Sequence, residues 1–194
     1  MTTRIAEFFA ETFCKHKLIE RETISAYRYG VEIILSTIIG AVMVLTIGIL
    51  FHEVRLTILY YVVFCSVRQF TGGYHAETYW RCKIVLALVT SSVLLFAKLT
   101  FLLSHYSIGI HVLFLLFSLT ATAVLSPIEN VNKPMTQKQR IKCGNIARIL
   151  TLAFSVISFP VLGISAKAGC VISITLFWVS VMLIVEFVKR GGTK

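Results

Sequence analysis

Six nearly charge-free apolar runs, at approximately residues 31–51, 54–71, 84–103, 108–126, 146–164 and 168–188, constrain this chain more than any other feature. An α-helix of about 20 residues crosses the roughly 30 Å hydrocarbon core of a bilayer. Backbone polar groups in lipid must be satisfied within the segment, so helices are the expected form. The run 54–71 is the weakest of the six, because its continuous core "LTILYYVVFCSV" is short enough for a tilted or re-entrant segment. Composition agrees: 57% of residues are apolar, 14% are charged and the mean hydropathy is +0.83. A soluble domain is about 45–50% apolar.

The expected fold is therefore all-α, a polytopic membrane helix bundle forming a single membrane domain over residues 1–194. Residues 1–30 form a cytoplasmic amphipathic region, 31–188 the bundle and 189–194 a cytoplasmic tail. Within the first region Ile5, Phe8, Phe9 and Phe13 recur at helical spacing, while Arg4, Glu7, Glu11 and Lys15 supply a polar face. That is the pattern of a helix lying in the membrane interface. No cleavable signal peptide is expected in residues 1–30, where charges break up every apolar stretch.

Basic residues set the expected orientation, since Lys and Arg near span ends stay on the cytoplasmic side. With the N-terminus inside, 16 of the 19 Lys and Arg residues fall in cytoplasmic segments. Arg55 and Lys167 fall outside, and Lys98 lies within the third span near enough its outer end to snorkel. The net charge of +10 is spread over inside loops rather than clustered with stacking aromatics. A nucleic-acid partner is thereby disfavoured; lipid and an acidic peptide are the partners the charge fits.

Between the second and third runs lies "RQFTGGYHAETYWRC", residues 68–82, which concentrates Arg68, Gly72, Gly73, His75, Glu77, Arg81 and Cys82 in one cytoplasmic interval. The five cysteines have no CxxC spacing and no set of histidine partners, so neither zinc nor a disulfide framework is expected, and no cofactor is implied. Cys65 and Cys170 read as small packing residues of their spans. Cys82 differs, because Arg81 and Lys83 flank it and a thiolate, the nucleophilic form, is favoured by nearby cations. On a continuous helix His75 and Cys82 would stand about 10.5 Å apart along the axis. A working pair therefore needs a bend, which Gly72-Gly73 allows; the same turn can aim N–H groups at an oxyanion. Taken one at a time, a packing cysteine, a solvated histidine and an ordinary turn account for the same residues.

The order Arg68, Gly72-Gly73, His75-Ala76, Cys82, following the second apolar run, resembles the accessory gene regulator B family of Gram-positive bacteria. The resemblance extends to the charged N-terminus, the six apolar stretches, the basic central loop "SPIENVNKPMTQKQR" and the basic C-terminus. It implies a cysteine endopeptidase of the bacterial cell membrane that processes a quorum-sensing pro-peptide. Cys82 would be the nucleophile and His75 the general base, with Arg68, Gly72 and Gly73 in support. The reaction implied removes an acidic C-terminal tail, leaves an acyl-thioester on Cys82 and closes a thiolactone or lactone.

The group that orients His75 stays open among Glu77, Glu129, Asn130, Asn132 and a backbone carbonyl. The chain has no Asp, which argues against phosphotransferases built on Asp-bound divalent metals. Lys138, Arg140 and Lys142, within an acid-free stretch 133–148, are candidates for docking the acidic tail. A peptide exporter or a noncatalytic membrane scaffold is the alternative, and a homodimer is left open.

Overall fold

The computed structural model describes residues 2–16, 20–72, 79–102, 108–128 and 136–191. Their helices are α1 (Thr2–Lys15), α2 (Ile24–Leu50), α3 (Val54–Thr71), α4 (Tyr79–Leu102), α5 (Ile108–Leu125), α6 (Gln137–Ile164) and α7 (Ala166–Lys189), with a 3-10 turn at Arg21–Thr23. The all-helical expectation holds, and each of the six apolar runs is a helix. The chain divides into two compact units, residues 1–43 and 44–194.

In the first unit, Ala6 and Ala10 are buried on α1, while Ile5, Phe8 and Phe9 remain exposed. An exposed apolar row on an otherwise charged helix is what an interfacial helix needs. Arg28 pairs with Glu7 at 3.1 Å.

In the second unit α7 is the central helix and packs against α3, α4, α5 and α6. Its sequence, AGCVISITLFWVSVMLIVEF, is apolar on all sides and rich in small residues, so neighbours can approach closely. A Cβ on Gly169 would meet the Leu162 backbone Cα at 2.6 Å, which marks one such approach between α6 and α7. The core joins Tyr60, Val63, Phe64 and Val67 of α3 to Val89 and Val93 of α4 and to Val171, Ile174, Leu176 and Val179 of α7. Small hydroxyl residues share this interior. Thr90, Ser118, Thr151 and Thr175 each donate to the carbonyl four residues back at 2.6–2.8 Å. Such bonds let polar side chains sit inside a bundle at little cost. Leu88, Leu113, Ile149 and Val156 point outward and are exposed, the face a bilayer would cover.

Five helices, α2, α4, α5, α6 and α7, are long and apolar enough to cross a membrane. The 18-residue α3, the doubtful second run, is not among them, and it carries Arg55 and Arg68 near its ends. It nevertheless runs beside α7. At one end Glu53, just before α3, pairs with Lys167 at 2.8 Å; at the other, Arg68 lies within electrostatic reach of Glu186. Its buried residues Thr57, Tyr60, Val63, Phe64, Val67 and Thr71 form one helical stripe. A helix shielded by protein along that stripe needs less apolar surface of its own.

Two boundaries move. The central loop is shorter than the sequence pattern suggests, since α6 begins at Gln137 with Thr136 as its cap. Thr136 and Gln139 exchange bonds in a capping box, satisfying two N–H groups that the first turn leaves unpaired. Likewise α4 begins at Tyr79, five residues before the apolar run at 84. Pro160 stays within α6 as expected, and Lys98 stands 5.6 Å over the Phe51 ring.

Candidate active site

Gly72 closes α3 with φ of 69°, the left-handed region that favours glycine. Its backbone pairs in parallel with Ile128, whose N–H donates to the Thr71 carbonyl at 3.1 Å. A Cβ at Gly72 would collide with the Ile128 carbonyl oxygen. Two donors meet the Gly72 carbonyl: Arg68 Nη1 at 2.7 Å and Thr71 Oγ1 at 3.2 Å. Gly72, the first of the two glycines expected to form the turn, is thus fixed from three sides.

The segment that fixes it comes from far along the chain. Ser126, Pro127 and Ile128 are buried where α5 ends, and Pro127 lies against Gly144 of α6, with no room for a Cβ there. In sequence "SPI" reads as the start of a basic loop; only the packing of α3, α5 and α6 brings it to Gly72.

Cys82 lies in the first turn of α4 and is exposed. It is also within electrostatic reach of the Arg68 guanidinium, as are Glu186 of α7 and Tyr60 of α3. Arg68 and Gly72 are therefore joined by a hydrogen bond, and Cys82 lies within the field of the same guanidinium. Gly73, His75 and Glu77 lie outside the described residues, as do Glu129, Asn130 and Asn132. Glu186 is a member of this cluster that the sequence pattern alone does not single out. Its sequence signal is a lone acid in the last turn of an apolar run, a placement that lipid makes expensive.

The other cysteines differ in setting. Cys170 is fully buried and accepts from Thr100 Oγ1 at 3.8 Å, in keeping with a packing role. Cys65 is exposed on α3, off its buried stripe, so the packing role expected of it does not hold. Cys14 and Cys143 are half-buried. Among the described residues no group of three His, Cys, Asp or Glu could hold a metal ion.

The three basic candidates for tail docking separate. Lys138 and Lys142 are exposed and four residues apart, on one row of α6. Arg140 lies between them in sequence, hence on the other side of the helix, and is half-buried with a partner of its own. Arg148, further along α6, donates to the Ala123 carbonyl at 3.2 Å.

The family model of accessory gene regulator B matches residues 2–183. An AgrB-like protein of Clostridium beijerinckii is 24% identical over 95% of this chain and 88% of its own. AgrB-like protein 1 of Clostridium perfringens is 26% identical over 87% of this chain and 86% of its own. Protein FsrB of Enterococcus faecalis is 24% identical over 50% of this chain and 38% of its own. No solved structure matches the chain.

Proposed function

The chain belongs to the accessory gene regulator B family and so to a quorum-sensing system, and on that premise we propose that it is a membrane cysteine endopeptidase acting on a pro-peptide. The observation that carries the reading is the placement of Cys82. It is an exposed thiol in the first turn of α4, within electrostatic reach of a guanidinium that is itself tied to the Gly72 carbonyl. The thiolate is the nucleophilic form of cysteine.

In this mechanism His75 takes the Cys82 proton, and the thiolate adds to the carbonyl before the acidic tail. The amide bond breaks, the tail leaves as an amine that receives the proton, and the remaining peptide is held as a thioester. An internal Cys or Ser of the peptide then attacks that thioester, giving a ring and restoring the Cys82 thiol. A partly dehydrated site at the membrane surface limits competing hydrolysis. The N-terminus, C-terminus and Cys82 face the cytoplasm, where the basic residues of the chain gather. Lys138 and Lys142 hold the acidic tail. They stand in the first two turns of α6, which has no acid in its first turn, so their charge opposes the stability of the helix itself.

The test is cleavage of a pro-peptide with an acidic tail by purified protein in lipid. Cys82→Ser and His75→Ala should each abolish cleavage while insertion is kept, since neither residue belongs to an apolar run. Full cleavage by the Cys82→Ser protein would end the assignment.

A further inference from the structure

Two costs meet where α5 hands the chain on towards α6. Gly144 stands inside α6, where glycine weakens a helix relative to alanine. Ser126 is 4% exposed, and its Oγ is buried without a hydrogen bond among the described residues, which also costs free energy. The space that the glycine leaves is used. A Cβ on Gly144 would stand 2.9 Å from Pro127 Cδ and 3.4 Å from the Ser126 carbonyl oxygen, and the first of these is closer than packed carbons come. Pro127 is thus seated against the backbone of α6. Beside it Arg148 Nη2 donates to the Ala123 carbonyl at 3.2 Å, a second tie between α6 and the end of α5. From this seat the chain reaches Ile128, whose N–H donates to the Thr71 carbonyl at 3.1 Å and whose carbonyl oxygen takes the place that a Cβ would have on Gly72.

We propose that residues 126–128 are a strap that sets where the chain leaves α3, and that Gly144, its seat, is a positioning residue of the cysteine site. Every link is a contact: Gly144 with Pro127, Ile128 with Thr71 and Gly72, and the Gly72 carbonyl with Arg68 Nη1 at 2.7 Å. His75 follows Gly72 by three residues, so a shift of Gly72 shifts the start of the segment that carries the base. Proton transfer to that base needs hydrogen-bond geometry, and a misplacement of about 1 Å can cost about a hundredfold in rate. The strap acts on the chemistry through Gly72 without touching the peptide. Its catalytic role rests on the peptidase reading of Cys82 and His75; its seating on Gly144 does not.

Two measurements on the full-length protein in lipid nanodiscs test it. The first is single-turnover acylation of Cys82 at saturating pro-peptide whose internal Cys or Ser is replaced by Ala, read by intact mass as a rate constant and a final fraction of adduct. The second is hydrogen exchange at the Ile128 amide, followed by mass spectrometry. Gly144→Ala should lower the rate constant about tenfold with the final fraction unchanged, because a shift of the strap by part of an ångström misplaces the site in every molecule. It should also speed exchange at Ile128, as the bond to Thr71 is strained. Gly163→Ala, on the same helix with open space at its Cβ, should change neither. A final fraction that falls while the rate constant holds means that Gly144 only supports folding, and overturns the proposal. So does a slower rate with unchanged exchange at Ile128, or no change in either. If Gly144→Ala does not insert, Ile128→Pro takes its place by removing the N–H given to Thr71: slow acylation to the full fraction is expected, and the wild-type rate overturns the proposal. Without any variant, an Ile128 amide that exchanges as fast as an unstructured one in the wild-type protein overturns it as well. A wild-type protein that forms no adduct contradicts the peptidase reading, while faster exchange at Ile128 in Gly144→Ala still upholds the seat.

Discussion

Gly72 shows how much a single residue can constrain. Its φ of 69° costs any other residue about 1–3 kcal/mol, and the Ile128 carbonyl leaves no space for a Cβ. Gly72→Ala should therefore move Arg68 or the Ile128 segment and reduce pro-peptide cleavage at least about tenfold, an effect of about 1.4 kcal/mol. Gly163, on α6 with nothing within 4 Å of where a Cβ would stand, is the control: Gly163→Ala should leave cleavage unchanged. Steady-state rates on equal amounts of inserted protein check both. The sequence made the glycine pair and Cys82 legible, because a glycine pair just before a histidine and a cysteine flanked by cations are informative locally. It did not reveal Ile128 or Glu186. Ile128 meets the site through helix packing across more than 50 residues of chain, and nothing in a local pattern encodes which remote carbonyl will face a glycine.

At the scale of elements, apolar length located all six long helices, since the cost of exposing backbone to lipid acts on each segment separately. The ends were less legible where a helix outlasts its apolar run. The start of α6 carried a readable signal, the Thr136 and Gln139 capping box, while the early start of α4 carried none as clear. The pairing of α3 with α7 gives a prediction at this scale. Lys167 and Glu53 are about a quarter exposed, so their pair contributes on the order of 1 kcal/mol or less after solvent screening. Lys167→Met should lower thermal stability slightly and leave cleavage unchanged, because the pair is at the far end of α3 from Gly72. Loss of cleavage with full stability would contradict that separation.

The exposed row of α6 gives another. Lys138→Gln with Lys142→Gln should raise KM several-fold with little change in kcat, since docking away from Cys82 contributes alike to ground and transition states. Added salt should weaken the wild-type advantage, and Arg140→Gln, on the other side of the helix, should do less. Equal KM values for charged and neutral tails would remove the docking role.

Over the whole molecule, orientation and chemistry have to agree: Cys82 must face the compartment where the pro-peptide is made. A membrane-impermeant thiol reagent applied to intact cells should spare Cys82, which is exposed in the bundle, and label it once the inner face is opened. Labelling from outside would invert the arrangement. The most direct measurement is the intact mass of the protein after incubation with a pro-peptide whose internal Cys or Ser is replaced by Ala, so that the ring cannot close. A gain equal to the peptide without its tail, located on Cys82, removed by hydroxylamine and absent from Cys82→Ser, is the result expected of an acyl-thioester. Tail release with no adduct on Cys82, or an adduct that persists in Cys82→Ser, would contradict it.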